Sequence, residues 1–381
     1  MAMRLFDTRT RTAHELSAGP VVRMYVCGIT PYDSTHLGHA FTYVVFDALI
    51  RVLEHRGRTV RYVRNITDVD DDILQKAREL GMDHLELARR EVARFDRDLA
   101  GLGLRRPDVE PRATETVPAI VRAVRGLVDA GIAYPTGDGR VYVDTRKAEQ
   151  FGRLSRLDRE EALRQFAEKG GDPDAPGKRE ALDFLLWQPS APDEPRWDSD
   201  FGPGRPGWHI ECSVMAQEHL GPTIDIHGGG NDLVFPHHEA EIVQAEHLTG
   251  QAPFARFWVH TGMVAMDGEK MSKSLGNLVF VSDLLERFEA GALRRYLLDR
   301  HYRGDWAFAD ESLADSAAAY KVWRDAAGRH GRRPDLADAF HAALDDDFDT
   351  RAAIRVLDEA AAAGAGDTLR DLAGVLGFVL T

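Results

Sequence analysis

The strongest constraint on the fold is an early alternation of strand and helix patterns. The apolar run 21–26 ends at Cys27-Gly28 and predicts a buried strand that enters a loop. The periodic segment 40–54 predicts a helix, and residues 59–63 predict a second strand. A strand, a helix and a strand at this spacing form a parallel sheet with a right-handed crossover. The sequence therefore predicts an α/β fold whose ligands bind at the carboxyl ends of the strands.

The rest of the chain indicates an interrupted sheet followed by helices. Strand patterns return at 224–226 and 257–259, whereas residues 144–182 are rich in charge and glycine. That composition is typical of an exposed insertion. Beyond Val281 almost every segment is compatible with a helix, and the small residues of 360–366 predict a loose loop.

Composition and charge exclude several classes of protein. The chain has 381 residues, 48 basic and 62 acidic, with a net charge of −14, and 44% of its residues are hydrophobic. These values exclude collagen-like, disulfide-rich and wholly disordered chains. No apolar run approaches the roughly 20 residues that span a bilayer, and the N-terminus lacks the apolar core of a secretion signal. We therefore expect a cytoplasmic protein with no membrane partner and, given its acidity, little general affinity for nucleic acid.

Two short motifs suit phosphate groups. The first is His36-Leu37-Gly38-His39, at the transition from the first loop to the first helix, where free backbone N–H groups attract anions. A pair of capping or loop histidines is the alternative interpretation. The second motif, 270–274, carries Lys270 and Lys273 among small hydroxyl residues and could clamp a polyphosphate. A solvated basic turn is its alternative.

A glycine run follows the later strand pattern. In the segment 225–233, three glycines precede Asn231 and Asp232. Backbone without side chains lets an adenine ring lie against it, and the carboxylate of Asp232 can hold ribose hydroxyls. A flexible turn would also explain the glycines.

The two cysteines suggest a metal site. Cys27 ends the first strand, Cys212 lies far downstream, and His237 and Glu241 are four residues apart on one helix face. Thiolate, imidazole and carboxylate are a common zinc set. Free cysteines are also often small buried apolar residues. His238 and Glu239 remain alternative ligands.

Taken in order, these motifs resemble the paired signatures of class I aminoacyl-tRNA synthetases. The segments 25–28, 65–68, 202–212 and 235–239 are similar to those of the cysteinyl-tRNA synthetase group. That group includes the cysteine ligase of mycothiol biosynthesis, which joins cysteine to an aminosugar. The resemblance covers residues 3–381.

The resemblance implies a Rossmann-like catalytic domain with a connective insertion and a C-terminal helical bundle. The corresponding boundaries are 1–110 for the first half of the catalytic domain, 111–200 for the insertion, 201–290 for the second half and 291–381 for the bundle.

The resemblance also implies a reaction and a set of residues. The carboxylate of L-cysteine would attack the α-phosphate of ATP, supplied with Mg²⁺, and the cysteinyl-adenylate would acylate an acceptor. His36, His39, Lys270 and Lys273 would be catalytic. The remaining residues fall into three groups: Thr30, Gly38, Gly229 and Asp232 with His36, His39 and Lys273 for ATP; Thr67, Trp208 and His227 for cysteine; and Cys27, Cys212, His237 and Glu241 for Zn²⁺. Zinc would select the substrate thiol over the hydroxyl of serine.

The acceptor is the open question. His39 and Phe41 resemble the aminosugar ligase, whereas Leu275 and Glu241 resemble the synthetases. Residues 301–381 contain 9 basic and 15 acidic residues, and the sequence leaves little room for an anticodon-binding segment. An acidic surface disfavours RNA. We therefore expect a small amine acceptor, with an aminosugar the best candidate, and tRNA(Cys) as the alternative. A non-catalytic member of the family is a third interpretation.

Overall fold

The computed structural model describes residues 3–32, 35–266, 269–270 and 278–380. The helices within these ranges are too short or too polar to cross a lipid bilayer. In the described residues the strands, numbered in chain order, are β1 (Arg4–Asp7), β2 (Thr12–Glu15), β3 (Val21–Ile29), β4 (Thr59–Ile66), β5 (Ala133–Pro135), β6 (Val141–Val143), β7 (Leu185–Pro189), β8 (Gly204–Pro206), β9 (Ile224–Gly230), β10 (Ala255–Thr261), β11 (Val264–Met266), β12 (Glu269–Lys270) and β13 (Trp306–Phe308).

The α-helices of the same residues are numbered in the same way. They are α1 (Leu37–His55), α2 (Asp71–Leu80), α3 (His84–Gly101), α4 (Ala113–Asp129), α5 (Arg159–Glu168), α6 (Trp208–Leu220), α7 (Glu239–Thr249), α8 (Val281–Arg287), α9 (Ala290–Leu298), α10 (Asp310–Ala327), α11 (Pro334–Asp345), α12 (Thr350–Ala362) and α13 (Gly366–Val375).

A four-stranded parallel sheet forms the centre of the fold. Its strand order is β10-β9-β3-β4, so the first strand of the predicted unit lies inside the sheet. The crossover helix α1 buries a continuous apolar side against it. The α/β fold with a parallel sheet is therefore confirmed. Because all four strands run the same way, their carboxyl ends meet at one edge.

The segment between β4 and β9 forms a second sheet. Strands β5, β6, β7 and β8 pair antiparallel in that order. Within 144–182, which the composition predicted to be exposed, α5 packs Phe166 into a core at 3% exposure. Arg205 of β8 joins this sheet to α2, since its guanidinium binds Asp71 as well as Glu194.

Helices α9 and α13 pack against α1, and the remaining helices of α8–α13 pack against these two or against one another. One apolar core runs from the central sheet through α1 into these helices, and Arg294 of α9 forms a buried ion pair with Asp47 of α1. The prediction of a loop over 360–366 was wrong for most of these residues. Helix α12 continues to Ala362 and α13 begins at Gly366, because Ala360 and Ala361 are buried between helices.

Candidate active site

A cavity of about 170 Å³ opens at the carboxyl ends of β3 and β9. We call it the sheet-edge cavity. It brings together five residues that the sequence predicted to be functional: Cys27, His36, Gly38, His39 and Asp232. Its remaining wall is formed by Gly28, Thr42, Tyr43, Gly230, Leu233, Gly262, Met263 and Val264.

The two histidines of the first motif lie at the N-terminus of α1. His36 is the N-cap, and its Nδ1 accepts a hydrogen bond from the backbone N–H of Gly38 at 3.1 Å. The rings of His36 and His39 stack, with centroids 3.7 Å apart. Since Nδ1 of His36 is an acceptor, a neutral ring carries its proton at Nε2, where it can be donated.

The lysine motif lies only partly within the described residues. The backbone of Lys270 belongs to β12, and Lys273 lies outside the described ranges. The chain on both sides of 271–277 lies at the sheet-edge cavity. Val264 of β11 lines it, and the carbonyl of Val279 accepts the N–H of Leu37 at 2.8 Å.

The glycine run is part of strand β9. A Cβ atom at Gly228 would lie 2.2 Å from the ring of Phe46 in α1, so this glycine is required for helix packing. Gly229 lies beside Gly230, which lines the sheet-edge cavity. Thr30 directly follows β3, is not among the residues that line the sheet-edge cavity, and donates its hydroxyl hydrogen to Asp70 Oδ2 at 2.7 Å.

Four buried side chains converge below this cavity. The ligand atoms of Cys27, Cys212, His237 and Glu241 all lie within 4.8 Å of one another. They come from β3, α6, the turn before α7 and α7 itself. We call this group the thiol cluster. It is the set that the sequence predicted for a metal.

A second group of potential ligands overlaps the first. It consists of Cys27, His227, His238 and Glu241, and we call it the histidine cluster. Cys27 Sγ lies 3.4 Å from His238 Nε2, and His227 Nε2 lies 3.2 Å from Glu241 Oε1. Glu239 belongs to neither group. Its carboxylate accepts the backbone N–H groups of Leu154 and Ser155.

Burial controls the charge of these groups. It raises the pKa of Cys27, with the neighbouring Cys212 adding to the rise, and it raises the pKa of Glu241. Burial lowers the pKa of His237 and lowers that of His227 to about 3. Glu241 Oε2 has no hydrogen-bond partner among the described residues. A divalent cation would supply the missing positive charge, so these residues fit a metal.

Neighbouring residues fix the orientations of the histidine rings in the two clusters. His209 Nδ1 lies 3.0 Å from His237 Nδ1, and His238 Nδ1 lies 2.7 Å from His260 Nε2. His260 Nδ1 contacts the hydroxyl of Thr8, also at 2.7 Å. Such partners orient metal-binding histidines. His260 and Thr8 have no fixed spacing from the motifs, so no pattern in the sequence indicated their role.

The three residues predicted to bind cysteine lie on three different elements: at the start of α6, after β4 and in β9. Trp208 begins α6 and stacks on His237, with ring centroids 4.3 Å apart. Thr67 accepts from the amide of Asn65, whose oxygen accepts the N–H of Gly28. His227 is fully buried within the histidine cluster and stacks on a tryptophan of β10.

Comparison with known proteins identifies the family. The family described as tRNA synthetases class I (C) catalytic domain matches residues 14–318. The L-cysteine:1D-myo-inositol 2-amino-2-deoxy-alpha-D-glucopyranoside ligase of Nakamurella multipartita is 49% identical over 94% of this chain and 90% of its own length. This chain belongs to the cysteinyl-tRNA synthetase family of class I. Another relative, the cysteine--tRNA ligase of Anaeromyxobacter dehalogenans, is 46% identical over 94% of this chain and 77% of its own length.

The fold of this cysteinyl-tRNA synthetase family member extends to other class I synthetases. Methionyl-tRNA synthetase of Mycobacterium tuberculosis, solved with methionyl-adenylate, superposes with a TM-score of 0.63 at 18% identity. The superposition covers 93% of this chain and 89% of that protein. At that identity the likeness establishes the fold alone.

In this family member the insertion contacts the turn that carries His237 of the thiol cluster. Lys169, which follows α5, donates to the carbonyl oxygens of Asp232 and Phe235. The N–H groups of Leu154 and Ser155 bind Glu239, as described above. The predicted exposed insertion therefore anchors both sides of the turn that carries His237. The only signal in the sequence was a lysine beside two glycines, which is common in surface loops.

Proposed function

We propose that this chain activates L-cysteine with ATP and transfers the cysteinyl group to the amine of an aminosugar. One observation carries the proposal. Cys27 belongs to the buried thiol cluster and also lines the sheet-edge cavity. A cysteine held by its sulfur at the cluster would therefore have its carboxylate near His36 and His39, where a nucleotide phosphate could bind.

Zinc fits the thiol cluster as a cofactor. Cys27, Cys212, His237 and Glu241 would hold it, and two thiols, one imidazole and one carboxylate are a typical donor set. When bound, zinc would supply a soft Lewis acid that prefers sulfur to oxygen and so favours cysteine over serine. A large difference in affinity at this step makes a separate editing site unnecessary.

The chain's own residues would bind and orient ATP, with Mg²⁺, in the first step. His36 would donate from Nε2 to a phosphate oxygen, and His39 would stabilise the same phosphates. Asp232, Gly229, Gly38 and Thr30 are the proposed adenosine and phosphate contacts. A carboxylate oxygen of cysteine attacks the α-phosphorus, the bond to the bridging oxygen breaks, and pyrophosphate leaves with the electron pair. Lys270 and Lys273 would neutralise the departing charge.

The second step forms an amide. The neutral amine nitrogen of the acceptor attacks the carbonyl carbon of the adenylate, the carbon–oxygen bond breaks, and AMP leaves with the electron pair. The nitrogen gives up one proton to water. Thr67 and Trp208 would hold the cysteinyl group during both steps, and His227 would support the thiol site from below.

Both the relatives and the residues of the first motif favour an aminosugar acceptor. Relatives named as cysteine:aminosugar ligases include that of Streptomyces griseus, 48% identical over 94% of this chain and 89% of its own length. His39 and Phe41 support the same acceptor. The second candidate, tRNA(Cys), is favoured by the similar identity to the cysteine--tRNA ligase of Anaeromyxobacter dehalogenans. The domain boundaries and the cytoplasmic location stay predictions.

The acceptor is tested with labelled cysteine and ATP. The protein is incubated with 1D-myo-inositol 2-amino-2-deoxy-α-D-glucopyranoside or with tRNA(Cys) in parallel reactions. We expect labelled amide with the aminosugar and little labelled tRNA. Robust charging of tRNA(Cys) without amide formation would contradict the proposed acceptor.

A further inference from the structure

A second cavity lies between helices α2 and α6 on one side and the insertion on the other. Its volume is about 300 Å³, in the range of small-molecule sites. We call it the insertion cavity. Its walls come from the start of α2, from the antiparallel sheet and the chain around α5, and from the start of α6.

The insertion cavity shares walls with the candidate active site. Trp208 and His209 line it, and both contact His237 of the thiol cluster. Asp70 also lines it, and this carboxylate accepts the hydroxyl of Thr30. A single side chain would thus separate a molecule in the insertion cavity from the thiol cluster, and another would separate it from Thr30.

The walls suit a cationic, hydroxyl-rich molecule. Asp70, Asp71 and Asp72 place three carboxyl groups on one side. Asp71 already pairs with Arg205, so Asp72 offers the negative charge that a cationic group would meet. On the insertion side, the guanidinium of Arg140 lines the cavity and can donate to sugar hydroxyls.

Helix α6 also carries a buried carboxyl group. Glu211 follows Trp208 by three residues, which places both on the same face of the helix. The side chain is 0% exposed, and neither of its oxygens has a hydrogen-bond partner among the residues that the structure describes. Burial raises the pKa of Glu211, and the charge of Asp70 adds to the rise.

We infer that the insertion cavity binds the aminosugar acceptor, with its amino group toward Asp70, Asp71 and Asp72, where it arrives as an ammonium ion and loses a proton before it attacks, and with its hydroxyl groups toward the insertion. This inference rests on the proposed function. It gives the insertion a direct part in acceptor recognition. It also explains why the insertion is anchored to the turn that carries His237 of the thiol cluster.

Two variants test the cavity without altering the proposed cysteine or ATP contacts. Asp72→Asn removes one wall charge, and Ala175→Trp fills space beside the wall. Asp174→Asn is the control. Asp174 is an exposed acidic residue next to Ala175 and is not part of the cavity wall. Amide formation is measured against aminosugar concentration, and cysteine-dependent ATP–pyrophosphate exchange is measured in parallel.

We expect both cavity variants to raise the KM for the aminosugar by about tenfold, which corresponds to about 1.4 kcal/mol, with exchange rates within twofold of wild type. Asp174→Asn should match wild type, and the N-acetylated sugar should not inhibit. An unchanged KM in both cavity variants would overturn the inference while leaving the proposed function intact. Wild-type protein that exchanges pyrophosphate but forms no amide would instead overturn the proposed function, and this inference with it.

Discussion

The indole of Trp208 lies against the imidazole of His237, with ring centroids 4.3 Å apart and planes inclined by 24°. This stack joins the insertion cavity to the thiol cluster. Trp208 and Cys212 are four residues apart on α6, so one helix face carries the stacking ring and a thiol of the cluster. Cysteine binding and acceptor binding would therefore depend on the same short helix.

Removal of the indole should weaken cysteine binding more than metal binding. Trp208→Ala deletes an aromatic contact of about 0.5–1.5 kcal/mol, and we expect the KM for cysteine in pyrophosphate exchange to rise by about tenfold at most. Trp208→Phe should restore much of the loss because it keeps a stacked ring. Zinc content, measured by mass spectrometry, should stay near wild type. Loss of zinc in Trp208→Ala with an unchanged KM would show that the ring serves only the metal.

Zinc stoichiometry can decide between the two overlapping ligand groups. Two thiols make the thiol cluster the softer set, so we expect Cys212→Ser and His237→Gln to lose most of the zinc. His238→Gln is the matched control, since the adjacent imidazole belongs only to the histidine cluster. The reverse pattern, with zinc lost in His238→Gln and kept in His237→Gln, would assign the metal to the histidine cluster.

The carboxyl group of Asp70 should make the free energy of unfolding fall as the pH rises. Burial raises the pKa of this carboxyl to about 7, and the neighbouring Asp72 and Asp71 add to the rise. The folded state therefore binds a proton that the unfolded chain releases near pH 4, so stability falls as the pH increases from about 4 to about 7.

The variant Asp70→Asn isolates this effect. An asparagine can still accept the N–H of Ile73 as the N-cap of α2. We expect the melting temperature to decline less between pH 5 and pH 7 in the variant than in wild type. Parallel declines in the two proteins would show that Asp70 is ionised at low pH in the folded state.

The sequence predicted the part of the site that lies on regular elements. The strand that carries Cys27 and the helix that begins after His36 follow from local periodicity. Their convergence also follows, because parallel strands deliver their carboxyl ends to one edge. The predicted helix face of His237 and Glu241 is only partly correct, because α7 begins at Glu239 and His237 lies in the π-helical turn Val234–His238 before it.

The rest depends on long-range packing, which local patterns do not encode. His260 reaches the cluster through the register of β10 with β9, and Lys169 reaches it across a turn after α5. The packing of Gly228, one residue of the glycine run predicted to face adenine, against Phe46 of α1 is likewise a long-range contact. The residues 360–366 read as a loop because alanine and glycine carry no apolar pattern, although alanine is a strong helix former.

Removal of one partner of the buried ion pair between α1 and α9 should destabilise the protein. Arg294 is 1% exposed, binds Asp47 and donates to the carbonyl of Leu376. Arg294→Met would leave a buried carboxylate with fewer partners, and we expect the free energy of unfolding to fall by about 3 kcal/mol. Urea denaturation measures the change.

The control for that variant is an exposed ion pair elsewhere in the C-terminal region. Arg332 and Asp371 are 69% and 61% exposed and lie 3.0 Å apart. Arg332→Ala should leave the urea midpoint nearly unchanged, since solvent screens such pairs. Equal midpoints for Arg294→Met and Arg332→Ala would contradict a stabilising role for the buried pair.

The central claim is that a metal-binding thiol cluster beside a nucleotide cavity selects cysteine for activation by ATP. ATP–pyrophosphate exchange with cysteine and with serine, in wild type and in Cys212→Ser, tests it most directly. We predict exchange with cysteine and almost none with serine in wild type, and a loss of that preference in the variant. Unchanged selectivity for cysteine in Cys212→Ser would contradict the claim.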